Sequence, residues 1–594
     1  MKHTRLSFQA IVCLLLLGSL LFTSCSAPTG NLPDQTDPTT DDTTADVTES
    51  ESDSLTETET QVPDTKIEGA LPDESPKKTF ACHDGLMVSS YSNQSETDFK
   101  AACAYFEEDG YTLYCSRDTE NTLSATYIKD DAYSTLLFRK GWKDLNIGLA
   151  ESGGKTFPAQ NQPYEKLYET AVTQPGLPGN GLCEIIRLAD GSFLVFDSGT
   201  NAAASTVYQE LCRLNGSSTN IHIRAWVLTH SHSDHYGGFV SLFSEYKYRN
   251  SVKLDMVLYA PVARNVADTL KSYNTSWDGI DYYFTNTFPT FMKNMFPDTV
   301  LCSVHAGQTF TFADVELQIL YTSEYLYMNE IPVDFNNTSI VSRVVNQDGS
   351  MVVMADCGAN AADWINKTYK ESELKSDFMQ VTHHGMVTNY DLNLMYKINP
   401  STYLWPCSED FFSNYWGISC YAKQYAIARG ENVIHGYGSA TRKLSYRGTR
   451  PVGTELLTET TAVTGNNVKL LETDGKTIQF TVTDATDPYV TLPVYAPTAQ
   501  YNALRIRVSC SDYKNGSISW TSGAQKPFSF TSANTRKLGP QGTGRGSSEF
   551  LLVFLGNGES FYGAISSLRL DLGEVVGETV TIYSIEAIYV EVDP

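Results

Sequence analysis

The sequence predicts an α/β chain of several modules. A small α+β module precedes a larger α/β body, and an all-β sandwich closes the chain. Three observations predict this. A chain of 594 residues exceeds one core, since single domains run to roughly 100–200 residues. Hydrophobic residues make up 41%, with 35 Tyr and 27 Phe, enough to fill several interiors. The composition also changes along the chain, from a polar acidic stretch to mixed helix and strand patterns and then to short alternating strands.

The first elements read as targeting rather than fold. Met1–Gln9 carries Lys2, His3 and Arg5, Ala10–Phe22 is apolar, and Phe22-Thr23-Ser24-Cys25 follows. A basic start, a short apolar run and small residues before a cut site describe a secretory signal over residues 1–24. The run is too short to span a bilayer. Its end resembles the bacterial lipobox, with Phe22 where Leu is usual. That resemblance implies cleavage before Cys25, lipidation of Cys25, and an exported protein held at the outer face of the bacterial cytoplasmic membrane. Residues 25–78 are rich in Thr, Ser, Asp, Glu and Pro and cannot bury a core, so they read as a disordered tether. Like charges keep such a tether extended.

Charge narrows the partners. The formal net charge is −26; residues 26–80 hold 14 Asp/Glu against 3 Lys, and residues 81–594 carry −17. An acidic body has no long-range field to draw in DNA or anionic lipid, although a local basic groove is compatible with it. Of the 12 Cys, Cys13 and Cys25 belong to the signal, and none of the rest forms a Cys-x-x-Cys pair. Disulfides are open to an exported protein, but the spacing assigns no pairing.

Residues 79–164 form the α+β module. Ser95–Glu108 has helical spacing, with Phe99, Ala102, Cys103 and Phe106 on one side. Tyr111–Cys115, Leu123–Ile128, Ser134–Phe138 and Leu145–Leu149 alternate as strands. Nothing here concentrates chemistry, so packing or partner binding is its expected role. Residues 165–484 read as the α/β body. Glu184–Leu188 and Phe193–Phe196 form a hairpin that ends in Asp197, and Ala202–Leu214 is helical. Further strands follow at Val252–Tyr259, Val315–Tyr321, Ile340–Val345, Met351–Ala355, Phe378–Thr382, Thr402–Leu404 and Val433–His435. A hairpin of Val468–Leu471 and Thr477–Val482 closes the body. Residues 485–594 hold short strands with Gly-rich connections, the pattern of a β-sandwich.

Chemistry concentrates at residues 229–238, Thr-His-Ser-His-Ser-Asp-His-Tyr-Gly-Gly. His230, His232, Asp234 and His235 fall within six positions, directly after the apolar strand Ile223–Leu228. Three of the ten His of the chain lie here. Imidazole and carboxylate suit borderline cations such as zinc. His230 and His232 can reach one ion, while Asp234 and His235 turn toward a second. Tyr-Gly-Gly is expected to let the loop fold back. The spacing resembles the His-x-His-x-Asp-His signature of the metallo-β-lactamase superfamily. That resemblance implies an αββα sandwich and a hydrolytic site of one or two metals, Zn2+ at two sites or Mn2+ in its place.

The resemblance extends downstream. Asp356 leaves the apolar strand Met351–Ala355, where a carboxylate is costly unless paired or metal-bound; it matches the family's bridging aspartate. In His383-His384-Gly385 the family pattern implies that His383 is the last ligand; His384 then sits behind the ligands or over the substrate, to donate a proton to the leaving group or bind a phosphoryl oxygen. Asp197 matches a second-shell aspartate that braces the histidine loop, though an Asx turn is an alternative reading. Asn336-Asn337 with the following strand, then Asp356 and His383-His384-Gly385, resemble the hydrolase domain of bacterial competence DNA-uptake channels over residues 175–484. This places Asn337 in the second shell. One departure stands out: Val315–Tyr321 runs into Thr322-Ser323-Glu324 with no histidine, and His305 lies one strand too early. The first ion is then left with His230, His232, Asp356 and water, and a single-metal form is the alternative. The stretch from Ile565 resembles jelly-roll modules that bind carbohydrate, with a structural cap as the competing reading.

Together these features imply a cell-surface metal-dependent hydrolase. The expected reaction is phosphodiester cleavage on a cell-wall polymer or extracellular nucleic acid. Asp234 and the other ligands would hold the cations, and His384 would act at the leaving group. The alternatives are a lactonase or β-lactamase-type hydrolase, and a glycan-binding surface adhesin that keeps the hydrolase fold as a scaffold.

Overall fold

The computed structural model describes residues 70–71, 75–150, 157–263, 266, 284, 287–327, 335–386, 392–407, 426, 432–434, 439–446, 453–458, 461–473, 476–497, 500–501, 503–510, 516–522, 535–537, 549–554, 564–573 and 575–588. The signal, Cys25, most of the tether, Cys420 and His435 lie outside the described residues.

The first module is an antiparallel sheet of six strands: β1 (Lys78–Ala81), β2 (Met87–Ser92), β3 (Thr112–Asp118), β4 (Thr122–Lys129), β5 (Ala132–Arg139) and β6 (Asp144–Ala150), in the order β1-β2-β6-β5-β4-β3. The helix Glu96–Glu108 crosses one face. Ser95 starts it with a capping box: its Oγ accepts from Asp98 N at 3.3 Å, and Asp98 Oδ2 accepts from Ser95 N at 2.8 Å. Phe99, Ala102 and Phe106 pack on Leu136, Phe138, Leu145 and Ile147. Tyr133 and Leu137, of opposite parity on β5, turn to the other face and join a core built from the next module. Burial on both faces explains why Leu136-Leu137-Phe138 is apolar without alternation. The sequence pattern missed β1 and β2, since β1 is only four residues long and β2 is rich in Ser.

The body has two sheets. One runs β13-β12-β10-β9-β8-β7-β21, from β7 (Ala171–Gln174), β8 (Cys183–Arg187), β9 (Phe193–Asp197), β10 (Ile221–Leu228), β12 (Met256–Tyr259), β13 (Val300–Ser303) and β21 (Ala440–Lys443), with β11 (Val252–Leu254) beside β10. The other runs in sequence from β14 (Thr309–Phe312) through β15 (Val315–Tyr321), β16 (Val341–Val345), β17 (Ser350–Val353), β18 (Phe378–Gln380) and β19 (Thr402–Leu404) to β20 (Asn432–Ile434). Leu194, Phe196, Ala225 and Val227 of the first sheet share a core with Leu317, Val344, Met351 and Phe378 of the second. Phe193, Val195 and Trp226 point the other way, onto the helices Ala204–Asn215 and Ser233–Ser244. Val352, Met379 and Tyr403 face Trp364, Ile365 and Leu394 of the helices Ala359–Thr368 and Leu392–Ile398. The strands β9, β10 and β12 are parallel, as are β17, β18 and β19. Within each set the chain therefore leaves every strand at the same edge, where ligands of α/β sheets collect.

With β23 (Thr464–Asn466), β24 (Val468–Thr473), β29 (Thr535–Lys537) and β30 (Glu549–Phe554), the last module packs an antiparallel sheet β24-β25-β32-β27-β30 on a second, β23-β26-β31-β28-β29. Phe480 on β25 (Ile478–Val482), Ile506 on β27 (Ala503–Ser509) and Ile582 on β32 (Thr579–Ile588) meet Leu492 on β26 (Tyr489–Pro497), Trp520 on β28 (Ser517–Ser522) and Leu568 on β31 (Ala564–Asp571). This corrects the expected boundary at residue 484. The hairpin of β24 (Val468–Thr473) and β25 pairs with β32, Phe480 opposite Val580, and its apolar side fills the sandwich core. Leu456 and Leu457 belong to that core too. The sandwich thus begins near Gly453, and the hairpin closes it instead of the body.

Candidate metal centre

The expected loop at residues 229–238 is half loop and half helix. Thr229–His232 leaves β10, His232 is the N-cap, and Ser233–Ser244 is helical, with Asp234 and His235 in its first turn. The glycines do not bend a loop. Gly238 lets the helix lie on the β9 end: a Cβ there would sit 2.1 Å from Ser198 O. Ser198 fastens the contact, its Oγ donating to His235 O at 2.7 Å and accepting from Phe239 N at 2.7 Å.

Asp197 braces this corner from the end of β9, in a left-handed conformation with φ 49°. Its Oδ1 accepts from Thr229 N at 2.8 Å, and its Oδ2 accepts from Thr229 Oγ1 at 2.6 Å. The same Oδ2 lies 2.7 Å from His235 Nδ1. Holding Nδ1 this way leaves His235 Nε2 aimed at Asp356, 3.1 Å from its Oδ2. Asp356 itself follows β17 and is buried at 1% exposure. Its backbone N–H donates to Ser339 Oγ at 3.2 Å. Gln380 fixes the preceding turn, accepting from Met354 N at 2.8 Å and Ala355 N at 2.6 Å. The sequence reading missed Gln380 because a glutamine inside an apolar strand carries no motif.

Two donor sets result, each with its atoms within 4.8 Å of one another: His230, His232 and Asp356, and Asp234, His235, Asp356 and His384. Asp356 is common to both. His230 Nε2 lies 3.0 Å from His232 Nδ1 and 3.9 Å from Asp356 Oδ2. His384 Nε2 lies 3.1 Å from Asp234 Oδ2 and 3.8 Å from Asp356 Oδ2.

The geometric grouping differs from the expected one at the adjacent histidines, although both Nε2 atoms lie near Asp356, at 3.7 Å for His383 and 3.8 Å for His384. His384, not His383, joins the second set. His383, His384 and Gly385 all have positive φ, at 48°, 55° and 78°. Trp405 takes the space over Gly385, where a Cβ would come within 2.2 Å of the indole, and Trp405 Nε1 donates to His384 O at 2.7 Å. Pro406 O pairs with His384 Nδ1 at 2.8 Å, which points Nε2 inward. His383 sits at the mouth, 17% exposed, with its Nε2 3.7 Å from Asp356. Asn337 Oδ1 accepts from Ala361 N at 3.1 Å and caps the helix after Asp356. His305 stays out of both sets, held between Asp84 at 2.9 Å and Glu324 at 3.0 Å.

Electrostatics divide the four imidazoles. Burial, helped by His235, drives His230 well below its ordinary value, and burial holds His232 down at about 4. Burial also opposes charge on His235 and His384, but Asp356 and the carboxylates beside them outweigh it and raise both. Burial would push the Asp234 and Asp356 carboxyls up, yet the facing histidines hold both below the usual carboxylate range. Neutral imidazole nitrogens converging with ionised carboxylates in a water-poor corner fit divalent transition metals. Filling the second set would displace protons from His235 and His384.

Comparison with known proteins agrees at the level of the superfamily. Residues 176–252 match the family model of the metallo-beta-lactamase superfamily. No curated protein sequence matches the chain. Among solved structures, the metallo-beta-lactamase fold protein YhfI of Bacillus subtilis is similar at 12% identity and a TM-score of 0.27, over 46% of this chain and 100% of that one. A family 29 carbohydrate binding module is similar at 9% identity and a TM-score of 0.18, over 24% of this chain and 95% of that one. A variant of such a module complexed with cellulohexaose is similar at 12% identity and a TM-score of 0.17, over 25% and 100%. The family match spans Asp197 and the run from His230 to His235, and over these residues the chain is similar to the metallo-β-lactamase superfamily.

Proposed function

We propose that the protein is a metal-dependent hydrolase of phosphodiesters, lipidated at Cys25, exported and held on the cell surface, with an anionic cell-wall polymer as its substrate. The observation that carries this reading is the sharing of Asp356 by two donor sets. Adjacent sites bridged by one carboxylate suit an in-line displacement at phosphorus, where attacking and leaving oxygens both need compensation. Two Zn2+ or Mn2+ ions would supply Lewis-acid charge and an acidified water.

The chain's own groups do the rest. His230, His232 and Asp356 would hold one ion, and Asp234, His235, Asp356 and His384 the other. Asp197 and Pro406 O orient His235 and His384 through their Nδ1 atoms. With His384 committed to the ligand set, the contact to the substrate's leaving oxygen passes to His383 at the mouth. The tether and the closing sandwich favour a wall polymer over nucleic acid, since the anchor would hold the protein within reach of the wall. Metal analysis and a substrate panel test the reading. Zinc- or manganese-loaded protein should hydrolyse bis-nitrophenyl phosphate, and hydrolysis of a lactone or β-lactam alone would overturn the substrate class. For the anchor, Cys25→Ala should release the protein from membranes in a Gram-positive host; continued membrane partitioning would overturn lipidation.

A further inference from the structure

Beneath the metal centre, the apolar layer between the two sheets of the body contains a carboxyl group. Glu184 lies on β8 between Leu182 and Ile186, which belong to that layer, and opposite Phe196 of β9, which does too. It is 0% exposed, and among the described residues neither carboxyl oxygen has a hydrogen-bond partner. An ionised carboxylate is very costly in such surroundings, so the group neutralises instead. Burial alone acts on it and pushes it well above its ordinary value. The described neighbours bring it no charge. Val172 on β7, Leu194 on β9, and Phe378 and Leu404 on the facing sheet are apolar. Cys183 turns to the helix layer, and Asp197 to Thr229 and His235. Arg442, opposite Val172 on β21, lies over Tyr446 at the rim of the layer.

A donor stands opposite this carboxyl. The β7–β8 register pairs Val172 with Ile186 and Thr173 with Ile185, which places Gln174 across from Glu184 on the same face. Gln174 Nε2 is engaged and donates to Trp405 O at 3.2 Å. Trp405 O also accepts from Cys407 N at 2.8 Å. This segment aims His384. Trp405 Nε1 donates to His384 O at 2.7 Å, and Pro406 O holds His384 Nδ1 at 2.8 Å. Gln380, another amide of the layer, is bound on both ends to the backbone of Met354, Ala355 and Val381 and is not available to Glu184.

We propose that Glu184 is a pH switch under the metal centre: when it loses its proton, the carboxylate takes the Gln174 amide from Trp405 O and releases the Trp405–Cys407 segment that aims His384. The proton leaves to water as the layer opens. A buried charge without a donor is worse than a carbonyl with one donor fewer, so the amide moves to the charge. The sign is fixed by the raised acid. It favours the closed layer fully below the ordinary glutamate value of about 4.3, and this contribution is lost as pH climbs toward and through the folded value. The effect on the second donor set rests on reading His384 as its member; the release of the segment does not.

Hydrogen–deuterium exchange of the full chain, metal-free and zinc-loaded, tests this from about pH 5.5 to about 8.5. The reporter is the peptide that carries the Cys407 amide. Intrinsic exchange changes equally with pH in every variant, so the protection of wild type is read as a ratio to that of Glu184→Gln, which cannot ionise. The ratio should fall by up to about 10-fold per pH unit, the linkage of one proton. Glu184→Met, apolar and of similar length, should follow Glu184→Gln. Gln174→Leu should leave the segment about 10-fold less protected than Glu184→Gln at every pH, with no pH dependence of its own. Parallel curves for wild type and Glu184→Gln, or full protection in Gln174→Leu, would overturn the switch. Chelator competition gives the second readout: the more weakly held zinc should be lost with rising pH in wild type but not in Glu184→Gln. A single zinc at every pH with the exchange difference intact would support the switch and overturn the reading of two donor sets.

Discussion

Two buried histidine–carboxylate clusters lie at strand ends of this protein, and they differ in where their nitrogens point. In the metal centre, His235 and His384 each spend Nδ1 on a fixed acceptor, Asp197 or Pro406 O, and turn Nε2 inward. At the module junction, His305 spends both nitrogens, on Asp84 and Glu324, and Tyr133 closes the set with its hydroxyl donating to Asp84 Oδ2 at 2.5 Å. The first arrangement converges lone pairs on a common point. The second is a bridge, with Asp84 from the first module and Glu324 from the body. Similar residue types thus give a cation site or a latch according to whether one nitrogen is left to point inward.

The comparison can be broken in descending order of effect. Asp356→Asn should strip metal from both sets and lower turnover by about 10³-fold, since several kcal/mol of charge stabilisation are at stake; metal analysis beside kcat checks it, and full occupancy would end the shared-ligand assignment. His384→Ala should lose one ion per chain. His383→Ala should keep both and lose about 10²-fold in kcat through misplacement of the leaving group; a reversed pattern of metal content would restore the order expected from sequence. Asp197→Asn leaves the ligands in place but loosens His235, so metal affinity should fall about 10–100-fold, read by competition with a chromogenic chelator.

The latch should respond in the opposite way. His305→Gln should leave metal content unchanged while costing about 3 kcal/mol, because two buried carboxylates lose their partner; a denaturation midpoint with parallel metal analysis separates the two. Its pH dependence has a definite sign. Burial opposes charge on His305, but Asp84 and Glu324 outweigh it and raise its pKa above the ordinary 6.5. A histidine raised on folding stabilises fully below its unfolded value and loses that contribution as pH climbs through the folded one. Wild type should therefore lose stability relative to His305→Gln as pH rises above about 6.5. An unchanged difference across that range would remove the charged latch. The smallest effect belongs to Asn337→Ala, which uncaps the helix Ala359–Thr368 at a cost of about 1 kcal/mol with no loss of metal.

Much of the metal centre is legible because its donors are local to strand ends. His230 to His235 follow β10 within one turn, Asp197 ends β9, and Asp356 follows β17; an apolar strand running into a carboxylate or imidazole needs no distant partner to be noticed. The helix Ser95–Glu108 is legible for the same reason, since its period and its Ser95–Asp98 cap are written in consecutive residues. The boundary of the sandwich was not. An alternating hairpin at residues 468–482 fits either neighbour by pattern, and only its pairing with β32, about a hundred residues on, assigns it.

By itself, then, the sequence determined which residue types gather at which strand ends, because period and motif are short-range properties. It picked out the histidine run and the carboxylates Asp197 and Asp356, which the fold brings together. Tertiary structure alone set the direction of His384, whose Nε2 reaches both Asp234 and Asp356. That direction rests on Trp405 filling the space over Gly385 and on Pro406 O capturing His384 Nδ1, contacts made by the residues that follow β19. It also decided that His305 is a latch, since Asp84 is brought to it from another module. Side-chain direction is set by packing and by the partner of the other ring nitrogen, and neither is a property of neighbouring residues in the chain.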